Sequence, residues 1–150
     1  MGLMMTSANE TCELCQSPGG EVVHQAEFFR VVIVDDANYP GFCRVIWRDH
    51  VKEVTDLSEL DRMLMMDVMW QVEQVVRDVM QPEKINLASL GNMVPHLHWH
   101  IIPRFTDDVH FPAPVWAEAK RTPSPDSLAL RHEKLPLLRK KLQQHLASYT

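Results

Sequence analysis

Between Pro95 and Arg104 three histidines, His96, His98 and His100, alternate with Leu97, Trp99 and Ile101. Side chains of an extended strand point to opposite faces in turn, so this order predicts three imidazoles on one face and an apolar set on the other. The apolar face has to be buried, which fixes the strand against a core and aims the histidines away from it. Residues two apart along a strand lie roughly 6–7 Å from one another. Neighbouring imidazoles can therefore engage different atoms of one polyanion, or different sites altogether.

The rest of the chain supports one domain around that strand. At 150 residues, 45% of them hydrophobic and 23% charged, it can bury a sizeable core in a single unit spanning 1–150. A formal net charge of -5 argues against general nucleic-acid or membrane-surface binding, and no basic run offsets it. The start, Met1-Gly2-Leu3-Met4-Met5-Thr6, lacks a charged region and is too short for a signal peptide. No apolar run approaches the roughly 18 residues of a membrane span. Three cysteines, an odd number, fit a reducing compartment better than a disulfide framework, so a cytoplasmic location is expected.

Residues 1–10 read as a loose arm. Cys12-Glu13-Leu14-Cys15 follows, before a Ser17-Pro18-Gly19-Gly20 turn cluster. In this compartment C-x2-C is half of a metal site or a redox pair; the redox version needs a helix opening just after a strand, and metal is the better reading if two further ligands exist. Val22-Val23, Phe28–Val34 and Phe42–Trp47 carry the β-branched and aromatic residues of strands, and Asp35–Gly41 breaks the run. Asp35 and Asp36 in that break either solvate a turn, the favoured reading on their own, or contact a ligand ribose. From Glu59 to Met80 the positions Leu60, Leu64, Val68, Val72, Val75 and Val79 form one buried helical stripe, widened by Met63, Met66 and Trp70, and Pro82 stops it. Lys84–Leu90 is a further strand, joined through Gly91-Asn92 to the histidine strand in an expected antiparallel hairpin. Phe111–Trp116, spaced by prolines, predicts an ordered loop, and 117–150 a connector followed by a helix from about Glu133 to Ala147. His24 and His110 read as surface residues and Cys43 as core. The order of elements predicts an α+β fold with a mainly antiparallel sheet, one long helix and a C-terminal helix.

The chemistry that suits the histidine row is phosphoryl or nucleotidyl transfer. It needs a nucleophile in line with the leaving group and hydrogen-bonding or positive groups around the phosphate oxygens. Neutral imidazole supplies the nucleophile when one nitrogen faces phosphorus and the hydrogen on the other is fixed. His98, flanked by His96 and His100, is placed for this, and Arg104 just past the strand adds charge.

His96-Leu97-His98-Trp99-His100-Ile101-Ile102, with Val94-Pro95 before it and Pro103-Arg104 after it, resembles the histidine-triad (HIT) motif. The likeness extends over most of the chain, and a Leu-Gly-Asn loop (Leu90–Asn92) with a later Pro114-Val115-Trp116 is similar to the short bacterial branch described as diadenosine tetraphosphate hydrolase-like. The resemblance implies a HIT-like fold and a nucleotide hydrolase or transferase. In such proteins the middle histidine attacks the α-phosphate to give a covalent nucleotidyl-histidine; that role falls on His98, with His100 on the phosphate. The Asp35-Asp36 loop would lie near the ribose, and Asn92 would stand where longer members have glutamine. Asp35, Asp36, Asn86, Asn92 and Arg104 are thus the expected substrate-binding residues. The resemblance also implies a purine nucleotide substrate, a homodimer, and a structural zinc held by Cys12, Cys15, His50 and His96. Longer members carry a hydroxyl residue before the triad that this chain lacks, which leaves the leaving-group donor unassigned. Two alternatives stay open: a nucleotide-binding sensor with negligible turnover, and a metalloenzyme in which His98 and His100 bind a catalytic metal.

Overall fold

The extended runs pair into one five-stranded antiparallel sheet in the order β1-β2-β3-β5-β4. Its strands are β1 (Glu21–Gln25), β2 (Phe29–Ile33), β3 (Cys43–Trp47), β4 (Lys84–Ala88) and β5 (His98–Arg104). The structure is a computed structural model and describes residues 8–150. Most of the expected arm, residues 1–7, lies outside the described residues. The helices are a single turn α1 (Glu13–Gln16), the long α2 (Glu59–Met80), and the C-terminal α3 (Pro125–Glu133) and α4 (Leu135–Leu146).

The fold class is the expected one: α+β, with the long helix where the apolar period placed it. Ser58 caps α2 by accepting from the Asp61 backbone N–H, and Glu59 and Asp61 in the first turn complement the helix dipole. At the other end Gln81 takes the left-handed conformation that closes the helix before Pro82. Met65, Val68, Met69, Val72, Val75, Val76, Val79 and Met80 are buried with β-sheet residues Val31, Cys43, Val45 and Ile101 and with Leu138, Leu142 and Leu146 of α4. The expected stripe is therefore right from Val68 onward. Leu60 and two of the expected widening residues, Met63 and Trp70, differ: they are 76%, 61% and 57% exposed, on the side of the helix turned away from the core.

The C-terminal region holds two helices where one was expected. Ser124 caps α3 and Pro125 opens it, a position where the missing N–H costs nothing. Pro136 similarly sits in the first turn of α4, so the break between the helices falls at Lys134. The connection from β4 to β5 runs over nine residues, 89–97, rather than a short turn. Gly91 within it has φ +80, a left-handed backbone that glycine adopts without strain.

The two faces of the sheet are used differently. Helices α2 and α4 cover one face. On the other, Cys12 and Leu14 pack on Val32 and Ile46, while Tyr39 and Val109 pack with Phe42 and Ile102. Strand β3 runs antiparallel to β5 with Ile46 opposite His98 and Arg44 opposite His100. His98 and His100 consequently fall between the two small apolar clusters, on the face away from α2.

Candidate active site

His96 does not share the strand with its two neighbours. Strand β5 begins at His98, and His96 sits in the preceding loop, buried, with Nε2 2.6 Å from the Trp47 carbonyl. That contact needs a proton on Nε2, which leaves the lone pair on Nδ1. Nδ1 faces Cys12 Sγ at 3.5 Å, Cys15 Sγ at 3.4 Å and His50 Nδ1 at 3.3 Å; His50 Nδ1 in turn lies 3.5 Å from Cys15 Sγ. All four ligand atoms lie within 4.8 Å of one another.

These separations test whether a metal fits. A tetrahedron with zinc–sulfur bonds of about 2.3 Å and zinc–nitrogen bonds of about 2.05 Å has S···N edges of roughly 3.5 Å and an N···N edge of roughly 3.3 Å. The observed edges agree, so Cys12, Cys15, His50 and His96 form a set that could hold a metal ion. The Trp47 carbonyl is the outer partner that orients a ligating histidine. Arg30 backs the site: its guanidinium donates to the carbonyls of Leu14, Ser17 and Pro18 around the end of α1. Burial raises the Cys15 pKa, and the charge of Arg30 opposes that rise.

His98 and His100 form a second, separate pair. Their rings meet edge to face, 4.8 Å between centroids. His98 Nδ1 lies 2.5 Å from the His96 carbonyl, so Nδ1 carries the hydrogen and donates it, and Nε2 is left with the lone pair. His100 is set the opposite way. Arg44 Nε donates to His100 Nδ1 at 3.3 Å, which puts the imidazole hydrogen on Nε2. Both rings have pKa values lowered from the usual histidine value. For His98 the main cause is burial, with Arg44 adding to it; His100, buried beside His98 and Arg44, is pushed down to about 3.

Both histidines open onto a cleft of about 360 Å³ lined also by Arg44, Trp116 and the residues 90–94 loop, Asn92 included. The Trp116 ring stands 5.4 Å from His100 and is half exposed. The site therefore offers a fixed lone pair, an imidazole N–H, a guanidinium and an aromatic wall.

The other expected substrate residues lie elsewhere. Arg104 is 2% exposed and six residues, roughly 20 Å, along the strand from His98. Its guanidinium is taken up by Asp108 (2.8 and 3.1 Å), Asn86 Oδ1 (2.7 Å) and the Ala113 carbonyl (2.7 Å). Arg104 and Asn86 thus brace the loop after β5 rather than line the cleft. Asp35 is exposed, and Asp36 accepts from the Asn38 backbone N–H in a turn, although its charge reaches Arg44. His110 is not a plain surface residue, since its Nδ1 is 2.6 Å from the Tyr39 hydroxyl, and His24 Nε2 is 2.7 Å from the Tyr149 carbonyl. The residue missed is Arg44. Its signal was a lone charge at one of the two positions of β3 that share the histidine face, the other being Ile46.

The model of the HIT domain matches residues 19–107, more than half of the chain. The chain belongs to the HIT family. Among solved HIT structures, a histidine triad protein from Bradyrhizobium japonicum is 28% identical, with 83% of this chain and 92% of that one covered and a TM-score of 0.68. A HIT protein from Sinorhizobium meliloti is 25% identical over 91% and 96%, with a TM-score of 0.70. A HIT family protein from Mycobacterium smegmatis, described as zinc-bound, shares the fold at 21% identity and a TM-score of 0.61, covering 92% of this chain and 97% of that one. A curated relative, the AP-4-A phosphorylase of Mycobacterium tuberculosis, is 28% identical over 78 residues, 48% of this chain. That match spans 40% of the relative's length. Among the described residues no helix is long and apolar enough to cross a membrane.

Proposed function

We propose that this HIT protein is a nucleotidyl hydrolase or transferase acting on the α-phosphate of a nucleoside polyphosphate or phosphoramidate, with His98 as the nucleophile. The observation that carries the reading is the hydrogen bond from His98 Nδ1 to the His96 carbonyl. It leaves Nε2 as the reactive nitrogen, and it stabilises the positive ring that forms when Nε2 bonds phosphorus. In the first step Nε2 attacks, the bond from phosphorus to the leaving group breaks, and the leaving group departs with the electron pair. In the second step water attacks phosphorus, the N–P bond breaks and His98 returns to neutrality. The proton released from water balances the charge left on the leaving group. His100 donates from Nε2 to a phosphate oxygen. A relative named AP-4-A phosphorylase supports a purine nucleotide with more than one phosphate as substrate.

Cys12, Cys15, His50 and His96 would hold zinc. The edge lengths of the set and the zinc-bound relative from Mycobacterium smegmatis support that reading. A closed four-ligand zinc stabilises the fold and presents no open position for chemistry. His96 would thus join the two sites: its ring serves the metal and its carbonyl serves His98. We also propose a homodimer.

The test is to mix the protein with adenosine polyphosphates and adenosine phosphoramidates and trap the intermediate for mass spectrometry. An adenylyl group mapped to His98, and lost in His98→Ala along with at least about 1,000-fold of turnover, is the expected result. Wild-type turnover by His98→Ala would overturn the assignment. AMP binding with no adduct and no turnover would instead indicate the sensor reading.

A further inference from the structure

Among the described residues Arg44 is a half-buried cation with no direct acidic partner. Each of the other arginines most engaged in the interior has its partner. Arg104 is paired with Asp108 and Arg131 with Asp107, and Arg30 spends its donors on three carbonyls. Arg44 is half-buried in the middle of the sheet and, among the described residues, forms no salt bridge. Its hydrogen bonds are two, from Nε to His100 Nδ1 and from Nη1 to the Gly19 carbonyl at 3.1 Å. A guanidinium has five N–H donors, so most of its capacity points to something that is not protein. Glu13 and Asp36 act on its charge from a distance, but neither touches it, and a half-buried guanidinium without a direct acidic partner is suited to meeting an anion. The lining of the cleft it enters contains no carboxylate.

We infer that Arg44 binds the phosphate of the substrate and, by the same guanidinium, holds His100 as the Nε2–H tautomer that donates to that phosphate. The inference rests on the nucleotide reading above and deepens it. It gives the charge that the transferred phosphate needs to a residue on β3, where Arg104 had been the sequence-level candidate. A planar guanidinium fixed at Nε and Nη1 presents its remaining N–H groups in a fork that suits phosphate oxygens and stabilises charge as the leaving group departs. Arg44 thus both binds the phosphate and positions its neighbour.

The two roles predict distinct readouts. In equilibrium binding to the full chain, wild type should prefer AMP to adenosine, and Arg44→Gln should lower AMP affinity about 10- to 100-fold while adenosine affinity stays within about twofold. Arg44→Lys, which keeps charge but loses the fork, should fall between them for AMP. In nitrogen-15 spectra of the wild type, His100 should show a protonated Nε2 and an unprotonated Nδ1, and Arg44→Lys should lose that pattern. If wild type fails to prefer AMP over adenosine, the nucleotide reading falls, and this inference with it. If wild type shows the preference and Arg44→Gln keeps it, the assignment of Arg44 falls while the nucleotide reading stands. Should Arg44→Gln not fold, AMP titrated into labelled wild type decides: the Arg44 Nε–H resonance should move on saturation, and an unmoved resonance overturns the inference.

Discussion

A single carboxylate, Asp108, organises the loop that closes the histidine side of the sheet. Its Oδ1 accepts from the Tyr39 hydroxyl and from the backbone N–H groups of His110 and Phe111, and both oxygens receive Arg104. Its Oδ2 also accepts from the Phe105 N–H. Burial alone would raise its pKa, but Arg104 and the three N–H groups outweigh that and hold it down to about 2. A carboxylate lowered on folding contributes stability that is present above its unfolded value and is lost as pH falls through the folded one. From an ordinary value of 3.8 that loss amounts to about 2 kcal/mol between roughly pH 4 and pH 2. His100 behaves with the same sign at higher pH: neutral in the fold down to about 3, it begins to cost stability as the unfolded histidine protonates below about 6.5. Urea midpoints should therefore decline in two overlapping stages, and His100→Asn should make the stage between pH 6 and 4 shallower, with the remainder coming from the other buried imidazoles, His96 and His98, while the lower stage is untouched. Asp108→Ala, which strands a buried guanidinium, should cost about 3–5 kcal/mol at pH 7. A midpoint unchanged at pH 7 would show that Arg104 finds another partner. Sequence reading gave Arg104 a ligand because it stood just past the histidines. Its burial depends on Asp108 and the Ala113 carbonyl folding back over the strand end, which no spacing along the chain announces.

At the scale of elements, what was legible was what repeats. The apolar period of α2 and the period-two alternation of β5 each report a local face, and both elements exist where those periods lie, although β5 starts at His98 and leaves His96 in the loop before it. The break between α3 and α4 was not legible, because Pro136 is equally compatible with one helix starting late or with two in succession. The four metal-site residues come from α1 and its N-cap, the loop after β3 and the loop before β5, and their grouping was read only through resemblance, since sequence spacing joins just Cys12 to Cys15. The geometry adds that α1 is a single turn, too short to persist by itself. It is held by Leu14 and Cys12 on Val32 and Ile46, by Arg30, and by whatever Cys12 and Cys15 bind. Cys12→Ser is accordingly expected to remove about one equivalent of zinc per chain in metal analysis, and to lower the melting temperature. It should also increase hydrogen exchange in α1 and the 89–97 loop while α2 stays protected. Zinc retained at full occupancy in both Cys12→Ser and Cys15→Ser would relocate the metal to His98 and His100 and favour the metalloenzyme alternative.

For the whole molecule, the question is what covers the outer side of α2. Leu60, Met63, Met66 and Trp70 follow one another at steps of three and four, the spacing of one helix face, and three of them are more than half exposed. This is the segment that the sequence alone placed in the core, and its apolar character is real even though this chain does not bury it. Farther along the helix, Glu73 and Arg77 border Pro82–Ile85 at the start of β4. Strand β4 is the last in the sheet, so among the described residues one side of its backbone has no strand neighbour, and Leu87 on it is 38% exposed. An exposed strand edge beside an exposed apolar helix face is the surface the proposed homodimer would use, and a two-fold axis through it would set both features against their own copies. A stable dimer buries roughly 800 Å² on each partner. Four side chains do not supply that area alone, so strand edge and helix face have to act together. Trp70→Glu places a charge at the centre of the proposed contact and should convert the dimer to monomer at micromolar concentration, measured by sedimentation velocity. Because the histidine cleft opens on the opposite face of the sheet from α2, AMP affinity per chain should change less than about threefold in that monomer. A Trp70→Glu protein that remains dimeric would move the interface off this face, and one that is monomeric but unable to bind AMP would show that the partner chain completes the cleft.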